Sequence, residues 1–172
     1  MSELIMVTGG ARSGKSLFAE QYAAATCRQV AYIATAQAYD DEMRKRINLH
    51  KQRRPIEWLV FEAPDKAHSV ITQAAKMADV VLFDCVTLYI TNLMLSPTAP
   101  TDIHDRQVYV MNSIRELLSA AINSGKIIIF VTNEVGMGIV PENSLAREFR
   151  DLAGSVNQYI AAKADSVFMV VS

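Results

Sequence analysis

The sequence predicts an α/β fold, a mainly parallel sheet with helices on both faces. Three observations predict it: six short apolar runs recur along the chain, they are near-continuous rather than alternating, and helix-like stretches separate them. Strands buried on both faces read as unbroken Val, Ile and Leu runs, and strand–helix alternation is the pattern of parallel sheets. At roughly 100–200 residues per domain, the 172 residues are expected to form one domain over 1–172.

The first strand is expected at 4–7, where Leu, Ile, Met and Val follow one another, and a helix at about 15–26 after a glycine-rich turn. A second strand is expected at 30–34, then a helix at about 40–53, acidic at its start, basic at its end and stopped by Pro55. The third strand, 58–61, follows that proline and suits a sheet edge. A helix at about 65–77 leads to a strand at 80–83. Residues 96–105, with Pro97 and Pro100 among Thr and Ala, read as a loop too short for a domain linker. A helix at 105–124, a strand at 127–131, a helix at 144–164 and a strand at 167–171 complete the pattern.

Composition excludes several classes. Hydrophobic residues make up 51% and charged residues 20%, which leaves material for a core and excludes a disordered tail. Seventeen basic residues against eighteen acidic give a net charge of −1, which draws neither nucleic acid nor anionic lipid. No apolar run reaches the roughly 18–20 residues of a membrane span, and the N-terminus reads as a strand rather than a signal peptide. Cys27 and Cys85 form no CxxC pair and are expected to be reduced core residues. The expectation is a soluble cytoplasmic domain with no nucleic-acid partner and no membrane span.

Gly9-Gly10-Ala11-Arg12-Ser13-Gly14-Lys15-Ser16 matches G-x-x-x-x-G-K-S/T, with a strand before it and a helix after it, as the motif requires. Glycines let successive backbone N–H groups point at phosphate oxygens, and the helix N-terminus adds its positive end. Lys15 supplies a charge to the β/γ-phosphates, and the Ser16 hydroxyl can ligate Mg²⁺. Asp84 ends the apolar run 80–83; it reads either as a Walker-B carboxylate helping to hold Mg²⁺ or as a cap on the next helix. The chain shows no guanine-reading N-K-x-D, and the D-x-x-G at 151–154 falls inside a helical stretch, so it is not a regulatory GTPase.

Two further stretches carry chemistry. In the 40–53 helix, Met43, Ile47, His50 and Arg54 share one face, with Lys51, Gln52 and Arg53 beside the histidine. Nearby cations keep an imidazole neutral, and a neutral imidazole in a phosphate-binding cluster is a nucleophile on phosphorus. The competing reading is a half-buried helix histidine beside solvated basic residues. His68 and His104 have no basic cluster like that beside His50 and are poor candidates for that role. After the strand at 127–131 comes Thr132-Asn133-Glu134-Val135-Gly136-Met137-Gly138-Ile139-Val140-Pro141-Glu142, at the edge where open α/β sheets bind ligands. There Glu134 reads either as a base or metal ligand, or as part of a plain strand-to-helix connection.

Five segments, VTGGARSGKS (7–16), YIATAQAYDDEM (32–43), RINLHKQRRPIEW (46–58), DCVTLYITNL (84–93) and TNEVGMGIVPENSLAREFRDLAGSVNQ (132–158), together resemble the bifunctional adenosylcobinamide kinase / adenosylcobinamide-phosphate guanylyltransferase family. The resemblance spans nearly the whole chain, and the last segment is far more specific than the phosphate motif. It implies a RecA-like P-loop domain that assembles as a homotrimer. It implies phosphorylation of adenosylcobinamide by ATP or GTP, then transfer of GMP from GTP, through a guanylylated histidine, to adenosylcobinamide phosphate. The matching histidine is His50, with Lys15 as its catalytic companion in the cradle. Nucleotide contacts are implied at Gly9–Ser16, at Ile33, Ala34 and Thr35, at Lys51, Gln52, Arg53 and Arg54, and at Glu62 and Asp84. The nearest alternative is a simple P-loop kinase of another small alcohol with no covalent GMP. A nucleotide-dependent binding protein is the alternative from another class.

Overall fold

In the computed structural model, which describes residues 2–37, 41, 44 and 55–172, the six apolar runs lie side by side in one sheet. The elements are β1 (Glu3–Gly9), α1 (Lys15–Ala25), β2 (Val30–Ala34), β3 (Leu59–Glu62), α2 (Ala67–Met77), β4 (Val80–Asp84), α3 (Val86–Met94), α4 (Ile103–Asn123), β5 (Ile127–Asn133), α5 (Ser144–Ala161) and β6 (Ser166–Val170). The strand order is β3-β2-β4-β5-β1-β6, and every neighbouring pair is parallel. The weak third run is indeed an edge strand. The central strands carry fully buried residues on both faces, such as Ile5, Val81, Leu82 and Ile129, which is why they read as continuous apolar runs.

The two faces are covered unequally among the described residues. Ala19 and Ala23 of α1, with Phe18 and Tyr22, pack on the face formed by Ile5, Val7, Tyr32, Leu82 and Ile129. Four helices, α2 to α5, cover the other face around Phe83 and Phe130, with Ile71, Tyr89, Ile114 and Leu152 among their contacts. Arg106 of α4 and Glu148 of α5 add a bidentate, nearly buried ion pair at 2.8 and 2.6 Å, which fixes these two helices to each other.

Three expectations are corrected, and a fourth falls outside the described residues. Val86–Met94 is a helix that the sequence did not announce: seven of its nine residues are buried, so it has no polar face to create a helical period. Its Val86, Thr87, Ile90 and Thr91 are β-branched, a strand-like composition that packing overrides. The fourth helix starts at Ile103 rather than 105, because the Asp102 side chain accepts from Asp105 N and caps it; His104 therefore lies in its first turn, not in a loop. Cys27 is exposed, whereas Cys85 is buried as expected. The expected helix 40–53 lies almost wholly outside the described residues; only Asp41 and Arg44 are described there, both helical and paired at 2.9 Å.

The D-x-x-G sequence at 151–154 lies inside α5, as its helical setting predicted. A Cβ added at Gly154 would meet nothing within 4 Å. Glycine in a helix interior costs about 0.5–1 kcal/mol relative to alanine. Gly154→Ala is therefore expected to raise the melting temperature by about 2 °C, measured by thermal denaturation; a lower melting temperature would show a packing demand at this position.

Candidate active site

The carboxyl ends of β1, β5 and β4 lie next to one another, and the chemistry-bearing residues follow from that adjacency. Residues 9–16 join β1 to α1 and wrap the helix N-terminus. A Cβ at Gly9 would collide with the Val170 carbonyl oxygen and lie 2.7 Å from Ser13 Oγ, so only glycine fits between the cradle and β6. Gly14 has φ +87°, the left-handed conformation that lets the chain turn into α1. Gly10, Ala11, Arg12 and Gly14 are exposed, whereas Ser13 is buried.

Two features of this loop mark an anion seat. Lys15 is only 8% exposed, and its Nζ donates to the Gly10 carbonyl oxygen at 3.0 Å. Burial lowers its pKa from the ordinary lysine value, while Cys85 and Asp84 act in the opposite sense. The Ser13 hydroxyl is buried with no hydrogen-bond partner among the described residues. A desolvated ammonium and an unsatisfied hydroxyl are both costly, and both are relieved by a phosphate in the loop. Ser16 is the second residue of α1 and half-buried.

Asp84 ends β4 and is half-buried; Tyr32 Oη donates to its Oδ2 at 2.8 Å. It does not cap α3, whose N-cap residue is Cys85 and makes no side-chain cap bond. Among the described residues no three His, Cys, Asp or Glu side chains converge into a metal cage. A Mg²⁺ ion that keeps its waters and phosphate oxygens asks for only one or two protein oxygens. Asp84 and the Ser16 hydroxyl, at the ends of elements flanking the cradle, fit that more modest demand.

Ile33 and Ala34 end β2 in register with Phe83 and Asp84 of β4, and Thr35 follows them, its N–H donating to the Asp84 carbonyl. The Ile33 side chain is fully buried in the core and offers a ligand no side-chain surface. The Thr35 hydroxyl is also fully buried: it donates to the Cys85 carbonyl and accepts from Cys85 N, both at 2.8 Å. Thr35 thus clamps the tip of β2 to that of β4. Glu62 is exposed at the end of β3, in register with Ala34. His50, Lys51, Gln52, Arg53 and Arg54 lie outside the described residues.

Sequence reasoning missed the polar belt behind these tips. Asn133 Nδ2 donates to Thr87 Oγ1 at 3.0 Å, and Thr87 shares a 3.1 Å contact with Cys85 Sγ. Asn157 Nδ2 donates to the Asn133 carbonyl, and Thr132 Oγ1 donates to Asn157 Oδ1 at 2.7 Å. The signal available was polar residues closing an otherwise apolar strand at Thr132-Asn133; their partners come from distant segments and have no spacing signature. Burial pushes the Cys85 thiol up to about 11, so it stays neutral and serves the belt rather than acting as a nucleophile. Glu134 is not poised as a base: its two carboxylate oxygens accept from Gly136 N at 2.8 Å and Met137 N at 3.0 Å. His68 lies 3.4 Å from Glu116, beside a cavity of about 700 Å³ between α2 and α4 that contains no cradle residue.

A parallel six-stranded sheet that carries G-x-x-x-x-G-K-S between its first strand and first helix defines a P-loop nucleotide-binding protein. Its fold resembles that of the flagellar accessory protein FlaH from Methanocaldococcus jannaschii, with a TM-score of 0.50 and 18% identity over 97% of this chain and 70% of that one. Closer kinship is with the bifunctional adenosylcobalamin biosynthesis proteins CobU of Salmonella typhimurium, 45% identical over 98% of this chain and 96% of the relative, and CobU of Escherichia coli, 44% identical over the same shares. CobP of Pseudomonas aeruginosa, with the same description, is 39% identical over 97% of this chain and 92% of that protein. The sequence profile of cobinamide kinase / cobinamide phosphate guanyltransferase matches residues 5–172, and the chain belongs to that family. It is accordingly an enzyme of two transferase activities, those of a cobinamide kinase and a cobinamide phosphate guanylyltransferase.

Proposed function

We propose that the chain, acting as one domain over 1–172, serves adenosylcobalamin biosynthesis by two successive reactions at the cradle. In the first, the hydroxyl of the aminopropanol arm of adenosylcobinamide attacks the γ-phosphorus of ATP or GTP, and the nucleoside diphosphate leaves. In the second, an imidazole nitrogen of His50 attacks the α-phosphorus of GTP, and the bond to the bridging oxygen breaks to release pyrophosphate. A phosphate oxygen of adenosylcobinamide phosphate then attacks the same phosphorus, the imidazole leaves, and adenosylcobinamide-GDP forms. A phosphorus–nitrogen bond keeps high transfer potential, which suits a carrier between donor and acceptor.

The observation that carries this reading is the cradle, with its desolvated Lys15 and unsatisfied Ser13 hydroxyl, in a chain matched from residue 5 to 172 by the family profile. Phosphoryl and nucleotidyl transfer depend mainly on positioning and charge neutralisation. Residues 9–16, Ala34 and Glu62 border the nucleotide in this reading, with Thr35 buried behind them; Lys51, Arg53 and Arg54 neutralise its phosphates beside His50, and Gln52 adds an uncharged amide donor. Ser16 and Asp84 would hold Mg²⁺, which neutralises phosphate charge when bound. A homotrimer in the cytoplasm completes the proposal. No helix among the described residues is long and apolar enough to cross a membrane.

The test follows both labels of GTP through one reaction with adenosylcobinamide. Label from the γ-phosphate is expected in adenosylcobinamide phosphate. Label from the α-phosphate is expected first on the protein, in an acid-labile bond, and then in adenosylcobinamide-GDP. Transfer of γ-label with no α-label in protein or product would leave only a simple kinase.

A further inference from the structure

Three apolar side chains stand exposed in the connection from β5 to α5: Met137 is 78% exposed, Ile139 97% and Val140 58%. Single exposed apolar residues are ordinary, but a run of them on one short loop marks an interaction surface. This loop is braced at both ends. The Glu134 carboxylate holds the Gly136 and Met137 amides, and Arg147 Nη1 donates to the Pro141 and Glu142 carbonyls. A Cβ at Gly136 would sit 3.0 Å from Glu134 Oε1, so glycine there serves the brace. A Cβ at Gly138 would meet nothing within 4 Å, so the fold makes no such demand of the second glycine.

The loop also starts at the phosphate seat. Glu134 N donates to the Gly9 carbonyl at 2.9 Å, and Gly9 is the first residue of the cradle. An acceptor whose hydroxyl reaches a phosphate in that cradle must keep the rest of its bulk at this carboxyl edge of the sheet. The corrin macrocycle of cobinamide is broad and flat, with methyl groups and amide side chains together around the rim of an apolar ring. Residues 136–141, Gly-Met-Gly-Ile-Val-Pro, carry no charge and offer apolar side chains separated by bare backbone. That surface matches the apolar ring and its methyl groups, and the backbone beside Gly138 is open to rim amides.

We propose that residues 136–141 are the platform on which the corrin ring lies in both half-reactions, with Met137 and Ile139 as its main apolar contacts. The inference rests on the function proposed above. Met137→Ser/Ile139→Ser is expected to raise KM for adenosylcobinamide in the kinase reaction by about tenfold or more, since two apolar contacts are lost. The affinity for a GTP analogue, the melting temperature and the oligomeric mass are expected to match the wild type. Met137→Leu/Ile139→Leu is expected to keep the wild-type KM. A wild-type KM in the serine variant, while the wild-type chain turns over cobinamide, would overturn the platform alone. A smaller oligomer in the serine variant would assign the loop to a subunit contact instead, and would also overturn it. A wild-type chain unable to phosphorylate cobinamide would remove the proposed function and the platform together.

Discussion

Lys15→Ala is expected to lower kcat/KM of the kinase reaction by roughly 10²- to 10³-fold, the usual loss when one preorganised charge on a reacting phosphate or oxyanion is removed. The argument begins with burial. Lys15 is held inside the loop, its ammonium donates to the Gly10 carbonyl, and burial lowers its pKa. A fold that only needed filling at this position would use an apolar side chain, because a buried cation opposes folding. The stability of Lys15→Ala is therefore expected to equal or exceed that of the wild type while nucleotide affinity and turnover fall. Lys15→Arg is not expected to rescue, since the planar guanidinium cannot take the place of a compact ammonium against the Gly10 carbonyl. The guanylyl half-reaction should weaken as well, because the same triphosphate must be held. Steady-state kinetics with each nucleotide, paired with thermal melting, check all of this. Wild-type kinetics in Lys15→Ala would remove the cradle from the mechanism.

His50→Ala carries the second large effect, and it should separate the two activities. Removing a covalent nucleophile commonly costs at least about 10⁴-fold in the step it performs. Guanylyl transfer to cobinamide phosphate is expected to fall by that order. Phosphorylation of cobinamide by ATP is expected to persist, since the hydroxyl attacks the γ-phosphorus directly with no imidazole intermediate. Product analysis by chromatography distinguishes the outcomes: cobinamide phosphate should accumulate and cobinamide-GDP should be missing. A variant that still makes cobinamide-GDP at the wild-type rate would show that the GMP passes by another route. His68→Ala serves as the control, because His68 lies beside Glu116 on the α2–α4 groove and contributes no cradle contact.

The fold was legible where burial on both sheet faces produced unbroken apolar runs, as at residues 80–83 and 127–131. It was illegible at Val86–Met94, where burial erased the helical period and β-branched residues imitated a strand. The phosphate cradle was legible because local backbone geometry and a short spacing define it. The belt of Thr35, Cys85, Thr87, Asn133 and Asn157 was not, because apart from the local Cys85–Thr87 contact its bonds join segments that only the folded sheet brings together. Glu134 illustrates the same limit. Its type and position suited a base, yet its carboxylate is occupied by the amides two and three residues on. Local hydrogen bonds of this kind compete with catalytic roles and leave no trace in composition.

The platform inferred at 136–141 depends on exposure, which a sequence cannot report. The same run of Gly, Met, Ile and Val would read as core filling if it were covered. Its significance comes from the braced loop and from the hydrogen bond that ties its start to Gly9.

Peptide mapping by mass spectrometry of the wild-type chain, incubated with GTP and no corrinoid and kept alkaline to protect a phosphorus–nitrogen bond, tests the covalent route most directly. The expected result is one guanylyl group on the imidazole of His50, discharged when adenosylcobinamide phosphate is added. Formation of cobinamide-GDP at the normal rate with His50 unmodified throughout, or with the guanylyl group on another residue, would contradict it.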